Sequence, residues 1–571
     1  MEGAPVLVVA VIGIVAATRL APKVGIAGPL LLVVLGVLAS FVPGAPTLHV
    51  EPELILAGVL PPLLYSSAVS MPGMDFRRDF GAIGGLSVVL VVLSAVVLGW
   101  FFAWALDIRV AWGIALGAVV SPTDAVATSI TKRLGVSSRL VTVLEGESLL
   151  NDASALVLLR SAIAATAVTV SLWSVLGQFV YAVVVAAVIG AVVGVLNLRV
   201  RSALPDAAAS TAVSFVAPFV AFLPAERLQA SGLVAAVVAG LVTGQGAPRF
   251  LRPQDRLAEE SNWRTIELLL EGAVFLVMGY ELQQLVAAAR DDDGTALPAV
   301  GLGIAAIALT LAVRALYVSP LVWWLSKQAA ASDRMKARYA QVTQTLADDE
   351  SEGPRIERRR ARWTQRVTRG LADIDYLVAK PLGAREGTVL VWAGMRGAVT
   401  LAAAQTLPED TPRRSLLILI AFVVAAGSLL LQGGTLPWVV RTLGVGSSGA
   451  SDDDPERAEL LQTLSQAAVG LLDDPTLVRR DGSRYDQRLL DGMKSVSLRR
   501  AADFAADEPR SITDQLLELQ LAVIDAQREA LLQARSDGTF SSAALSSALA
   551  ILDADQISAE LKGGPTTTSE D

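Results

Sequence analysis

The 571-residue chain contains no cysteine and a single histidine, His49. Without thiols there is no disulfide framework, thiolate metal site or cysteine nucleophile, and one imidazole cannot build a histidine-cluster metal centre. Charge is also scarce. Only 18% of residues are charged against 53% apolar, and mean hydropathy is positive, which excludes an ordinary soluble domain of this length and points to a membrane protein. The charge that exists gathers in 327–384 and after 445, so the net −8 describes mainly those stretches. The apolar N-terminal segment follows Glu2, lacks a basic leading region and shows no small-residue cleavage site before Arg19. It reads as a retained span rather than a signal peptide. No nucleophile–base pair, cofactor motif or nucleic-acid signature is present, so neither an enzyme nor a nucleic-acid partner is expected.

Apolar windows long enough to cross about 30 Å of hydrocarbon fall near 4–20, 23–42, 52–69, 82–105, 109–131, 141–167, 171–198, 207–223, 229–247, 263–288, 299–326, 386–407 and 414–440. The expected fold is therefore an all-α polytopic membrane protein with thirteen transmembrane helices. With the N-terminus outside, the inner loops and span ends collect Arg19, Lys23, Arg77, Arg78, Lys132, Arg133, Arg139, Arg199, Arg201, Arg249, Arg252, Arg256 and Arg264, and the outer ones only Arg109, Arg227, Arg290, Arg413 and Arg414. That bias follows the positive-inside rule and sets the 327–385 loop and the C-terminal tail in the cytoplasm of a cell-membrane protein. Residues 1–442 form the membrane domain in this reading, and 443–571 a mainly helical cytosolic tail.

Two spans carry interruptions in matching places. GAVVSPTDAVATS sets Pro122 with Ser121, Thr123 and Asp124 at membrane depth, and VWAGMRGAVTLAAA brackets Arg396 with Gly394 and Gly397. Broken, polar-centred helices seven spans apart suggest two inverted repeats whose discontinuous helices cross, leaving unwound backbone free to coordinate an ion. The plainer alternative is a proline kink and a glycine packing seam.

Ionisable groups at the bilayer centre are costly and default to functional candidates. At about 1.5 Å of rise per residue, Asp152 lies about 17 Å into the sixth span, with Arg396 at a similar level and Asp124 and Arg314 roughly 22 Å from the outer face. In EGESLLND, Ser148 and Asp152 are four apart and share a helical face, while Glu147 and Asn151 form the neighbouring stripe. A monovalent cation needs several oxygens, which Asp152, Ser148 and the Thr123 backbone can supply together, with Asp124 as a further candidate ligand. In a low-polarity setting the carboxylate is discharged by either a proton or a cation, and competition at one site is enough for exchange. Asp124 and Arg396 are expected to pair and offset the helix ends that meet there, and Glu147 to pair with Arg314. Glu271 and Arg160 also need partners, and each is a candidate for the other.

The strings SPTDAVAT, LEGESLLNDASALVLLR and VWAGMRGAVTLAAA, in this order, resemble the monovalent cation/proton antiporters, which include animal sodium/proton exchangers and many bacterial antiporters. The resemblance spans roughly residues 5–442 and takes in PPLLYSSA, AERLQASGLVAAVVAGL, FLVMGYEL and LLQGGTLP. It implies a six-helix core moving against a dimerisation domain, usually in a homodimer, with no cofactor. It further implies electroneutral one-for-one exchange of sodium for protons, from the Asn151–Asp152 pair. In the same way it assigns the ion site to Asp152, Ser148 and Thr123, the support of Asn151 to Glu147, the balancing of Asp124 to Arg396, and the facing of Glu147 to Arg314. Ser137 and Glu271 depart from the family pattern. Potassium or lithium are alternative cations, and a sodium-coupled solute symporter is the rival class. A channel would need a continuous polar pore. The tail segments RAELLQTLSQAAVGLLDD and ITDQLLELQLAVIDAQREALLQARSDG have helical periodicity, with a turn at Ser536–Gly538. A regulatory partner at the tail and anionic lipid at the basic run 357–369 are the candidate contacts there.

Overall fold

The computed structural model describes residues 3–24, 27–42, 51–167, 172–293, 296–330, 354–446 and 463–563, apart from 465, 480–481 and 500–509. His49, residues 331–353 and 447–462 and the last eight residues lie outside this set, as do the side chains of Arg358, Arg359, Arg360 and Arg362. Among the described residues every regular element is a helix. Helix is found within the described part of each apolar window. Among the described residues seven helices are long and apolar enough to cross a membrane: Phe80–Leu106, Ser138–Thr166, Leu176–Ser202, Ala207–Arg227, Gly232–Phe250, Leu297–Lys327 and Arg414–Leu443. Shorter apolar helices cover Leu7–Ala21, Gly28–Ser40, Leu54–Ser70 and Val110–Val120. Large apolar side chains such as Trp104, Val188, Val192 and Leu316 stand exposed, as they must where the surrounding solvent is lipid. The chain is a multi-pass membrane protein.

Proline explains two local widenings. Pro61 and Pro437 each lack an N–H and crowd the carbonyl four residues earlier. The helix relieves this with wide π turns at Leu54–Val59 and Leu429–Gly433, immediately before each proline-bearing segment. Close packing of Val91–Leu106 on Val110–Val120 depends on small residues instead, because a Cβ on Gly113 would run into the Gly99 carbonyl.

The chain divides into two compact units. The first, Met1–Ser326 with Leu382–Ser448, holds the apolar helices and, among the described residues, two large hydrophobic clusters beside a small one at Leu198, Ala247 and Leu251. One cluster runs from Leu86 and Leu90 in the Phe80–Leu106 span through Leu116, Val120 and Leu144 to Leu417 and Ile420. The other joins Leu64, Tyr65, Leu149, Ala221 and Leu233. Two arginines counted as topology markers are in fact sequestered. Arg201, with no exposed surface, forms a bidentate pair with Glu259 at 2.7 and 2.9 Å, and Arg139 meets Asp79 at 2.8 Å. Their positions are set by these partners as much as by the water interface.

The second unit comprises Lys327–Pro381 and Gly449–Asp571, so the loop expected to accompany the membrane domain groups with the tail. The Pro354–Ala379 helix packs on Arg510–Asp537, where Gln365 Nε2 donates to Ser536 Oγ at 3.4 Å and Arg369 donates to the Ser536 carbonyl. Arg510–Asp537 ends at Gly538, whose φ of +71° turns the chain into the Ser542–Gly563 helix. Ala468, Leu472, Tyr485, Met493, Leu519 and Val523 form this unit's small apolar core.

Candidate ion-binding site

The two interrupted segments break where the sequence placed their polar residues. Val110–Val120 stops, residues 121–125 run without regular structure, and Val126–Arg133 resumes. Likewise Ala384–Trp392 stops and Ala398–Gln405 resumes. The breaks touch each other, since the Asp124 N–H donates to the Met395 carbonyl at 2.8 Å.

Four helix ends therefore converge inside an apolar bundle, each with unpaired backbone groups and a partial charge. Arg396, 3% exposed, satisfies the carbonyl ends: its Nε donates to the Val120 carbonyl at 2.9 Å, Nη2 to the Ser121 carbonyl at 3.0 Å, and Nη1 to the Gly394 carbonyl. Its own N–H donates to Ser428 Oγ at 2.9 Å. Asp124 serves the amino ends. Its Oδ1 accepts from the Val126 N–H at 3.4 Å, and its carboxylate packs so tightly on Gly397 that a Cβ there would collide with it. The expected Asp124–Arg396 ion pair is not formed among the described residues. Each charge compensates helix ends of opposite polarity, and the guanidinium's donors are occupied by carbonyls that the breaks leave open.

Glu147, Ser148, Asn151 and Asp152 lie midway along the Ser138–Ala167 helix. Glu147 meets Arg314, the partner expected for it, in a buried bidentate pair whose Nη2–Oε2 distance is 2.7 Å. Arg314 Nε also donates to the Leu390 carbonyl at 2.9 Å, tying the pair to the second interrupted segment. Glu147 does not hold Asn151 directly. Asn151 Nδ2 donates to the Thr123 carbonyl at 3.1 Å and to Thr123 Oγ1 at 2.7 Å, and Thr123 Oγ1 donates to Glu147 at 3.1 Å. Thr123 is thus the bridge that pins the first break to the Ser138–Ala167 helix. The Glu147 side chain points past the amide toward the arginine, which is why the contact needs an intermediary.

Asp152 and Ser148 occupy the adjacent face and are each 8% exposed. Neither makes a hydrogen bond or ion pair with any described residue, although neighbouring hydroxyls on the same helix, Thr142 and Ser154, bond back to their own turns. Both line a cavity of about 280 Å³, shared with Thr123, Asp124, Ser67 and Glu271. The cavity runs from the exposed Ser70, Ser129 and Lys132 inward to Asp152. Lys132 pairs with Glu145 near the exposed end. Such a lining has the chemistry to bind a small cation: hard oxygen donors share one cavity, a buried carboxylate has no counter-charge among the described residues, and part of the lining is exposed. The structure therefore brings Asp152, Ser148, Thr123 and Asp124 to one cavity and sets Glu147, Asn151, Arg314 and Arg396 behind its wall.

Arg160 does not neutralise Glu271. It turns outward to Glu226 at 2.9 Å, leaving Glu271 in the cavity wall. Glu267, one helical turn before Glu271, also lines the cavity and was not singled out from the sequence. The i, i+4 spacing of the two acids was the available signal. Among the described residues no group of three or more His, Cys, Asp or Glu side chains is arranged to hold a metal ion as a cluster.

Comparison with known proteins gives a concordant result. A family model described as "Sodium/hydrogen exchanger, transmembrane" matches residues 6–442. A Mycobacterium tuberculosis protein named as an uncharacterized Na(+)/H(+) exchanger is 29% identical, over 97% of this chain and 96% of its own length. A Bacillus subtilis protein named as a sodium, potassium, lithium and rubidium/H(+) antiporter is 28% identical, over 77% of this chain and 61% of its own. The fold is similar to that of the sodium proton antiporter MjNhaP1 from Methanocaldococcus jannaschii at pH 8, with a TM-score of 0.55 at 15% identity, covering 78% of this chain and 99% of that one.

Proposed function

We propose that this chain, which belongs to the sodium/hydrogen exchanger family, is a secondary antiporter that moves one sodium ion against one proton, both competing for Asp152. The observation that carries the reading is the carboxylate itself, buried in the lining of a cavity and without a partner among the described residues. An ionised acid in that position is costly. Binding a cation or a proton removes the cost, and the unbonded Ser148 hydroxyl and the cavity-lining Thr123 are the further oxygens for the cation. Transport follows if the protein changes its facing direction only with Asp152 neutralised, so that neither gradient discharges without the other.

The fixed charges around the site support one-for-one stoichiometry. Glu147 and Arg314 cancel, and Arg396 and Asp124 are each committed to helix ends, which leaves Asp152 as the uncompensated charge of the Ser138–Ala167 helix at the crossing; Glu267 and Glu271, on another helix, keep their charge state through the cycle in this reading. Thirteen spans in two inverted repeats, an external N-terminus, a cytoplasmic tail after residue 442 and a homodimer in the cell membrane complete the proposal. In that orientation the cavity opens to the cytoplasm, the side that carries Lys132. The physiological task is then pH homeostasis with sodium extrusion.

The decisive assay is proton flux in proteoliposomes under imposed gradients of sodium, lithium and potassium, with no organic solute present. Sodium is expected to drive proton movement at a rate unchanged by an imposed membrane voltage. Flux that appears only when a solute is added would establish the symporter instead, and a clear voltage dependence would overturn the stoichiometry. The Bacillus subtilis relative's name covers potassium, lithium and rubidium, and a potassium-driven flux equal to that of sodium would extend the substrate range here in the same way.

A further inference from the structure

The cavity lining contains five carboxylates, Asp124, Glu145, Asp152, Glu267 and Glu271, against one basic side chain, Lys132. Three have an evident task. Glu145 cancels Lys132, Asp124 serves the helix ends, and Asp152 is the exchange group. Glu271 has none: it makes no hydrogen bond or ion pair with a described residue, and Arg160 is engaged elsewhere. It also stands on a different wall. Its helix, Pro253–Tyr280, packs on Gly28–Ser40 and Leu60–Ser70, whereas Asp152 belongs to the Ser138–Ala167 helix.

From this placement we infer that Glu271 is a second cation-binding carboxylate, a loading position on another helix of the same cavity, from which a monovalent cation passes to Asp152. The inference rests on the proposed exchange at Asp152 and adds a residue from another helix to it. An acidic wall alone would be no more than a solvated face. Here the same cavity is lined by Asp152, more than nine-tenths buried and without a partner among the described residues, so an ion that enters it meets Glu271 and Asp152 in one space. A carboxylate in a cavity walled partly by low-polarity groups attracts a cation far more than one in open water, because screening is weaker. Few cationic groups compete for it. The charged groups that act on it are Asp124, Glu267 and Arg133, while Asp152 lines the same cavity and Lys132 is held by Glu145. Gly28–Ser40, Leu60–Ser70 and Ala398–Gln405, which pack on its helix, bring no charged side chain. The other neighbours, Gly3–Val24, Ala207–Arg227 and Leu282–Asp293, carry their charges outside the cavity lining.

Two measurements on the full chain in nanodiscs or proteoliposomes test the assignment. Sodium binding by calorimetry is expected to persist weakly in Asp152→Asn and to vanish when Glu271→Gln is added. In transport, Glu271→Gln alone is expected to raise the KM for sodium several-fold, with the loss falling on KM more than on maximal rate, and Glu271→Asp to recover part of it. Absence of residual sodium binding in Asp152→Asn, or its survival in the double variant, would overturn the loading position. So would an unchanged KM in Glu271→Gln. A native chain that exchanges no cation for protons would sink the exchange reading instead, and the binding arm would still report on Glu271.

Discussion

Asp152→Asn is expected to abolish coupled exchange while leaving the fold intact. The substitution keeps the size and shape of the side chain and removes only its charge. Because the carboxylate has no ion pair or hydrogen bond with a described residue, nothing described in the protein loses a partner, and thermal stability should hold or rise slightly as a buried charge disappears. The cation loses its charged ligand. A contact of that kind is worth about 3 kcal/mol, or roughly a hundredfold in affinity, and an amide cannot take up the proton for the return step. Proton flux in proteoliposomes driven by sodium, measured beside the unfolding temperature of the same preparation, checks both halves. Full activity in the variant would remove Asp152 from the mechanism.

Glu147→Gln should behave in the opposite way. The Glu147–Arg314 pair is buried at both ends, with Arg314 2% exposed, and Glu147 also accepts from Thr123. Removing one member of a buried pair strands the other, at a cost of about 3–5 kcal/mol. The damage should spread to the site, because Thr123 is held between Glu147 and Asn151. The expected result is a large drop in unfolding temperature together with loss of transport. Combining Glu147→Gln with Arg314→Met should restore much of the stability, since a buried pair replaced whole is far less costly than one broken. A single variant as stable as the native chain would show that the pair does not support the fold.

These two residues are five positions apart on one helix, and their contrasting surroundings were largely legible beforehand. A polar stripe in an otherwise apolar run stands out, and helical spacing separates the Ser148–Asp152 face from the Glu147–Asn151 face. The interruptions were legible for a similar reason, because Pro122, Gly394 and Gly397 sit where a spanning helix can least accommodate them. Glu147 and Arg314 could be matched by depth and sign.

What could not be read was direction. Depth and sign also matched Asp124 to Arg396, yet the breaks expose carbonyls at Val120, Ser121 and Gly394 that take the guanidinium instead. Which backbone groups a break leaves open depends on the three-dimensional crossing, not on local sequence. Arg160 illustrates the same limit. It lies on the Asp152 helix but faces outward, where Glu226 meets it. The grouping of Lys327–Pro381 with the tail depends on contacts across more than a hundred residues, between Gln365 or Arg369 and Ser536, and no periodicity within either segment signals it.

The central claim is that proton and cation displace each other from one carboxylate. Its most direct test is the rate of sodium-driven proton flux as a function of sodium concentration at a series of pH values on the cavity side. The account predicts pure competition: as pH falls the KM for sodium rises steeply, while the maximal rate at saturating sodium stays constant. A maximal rate that falls with acidity at constant KM would mean that the two ions bind at separate places, and would contradict exchange at Asp152.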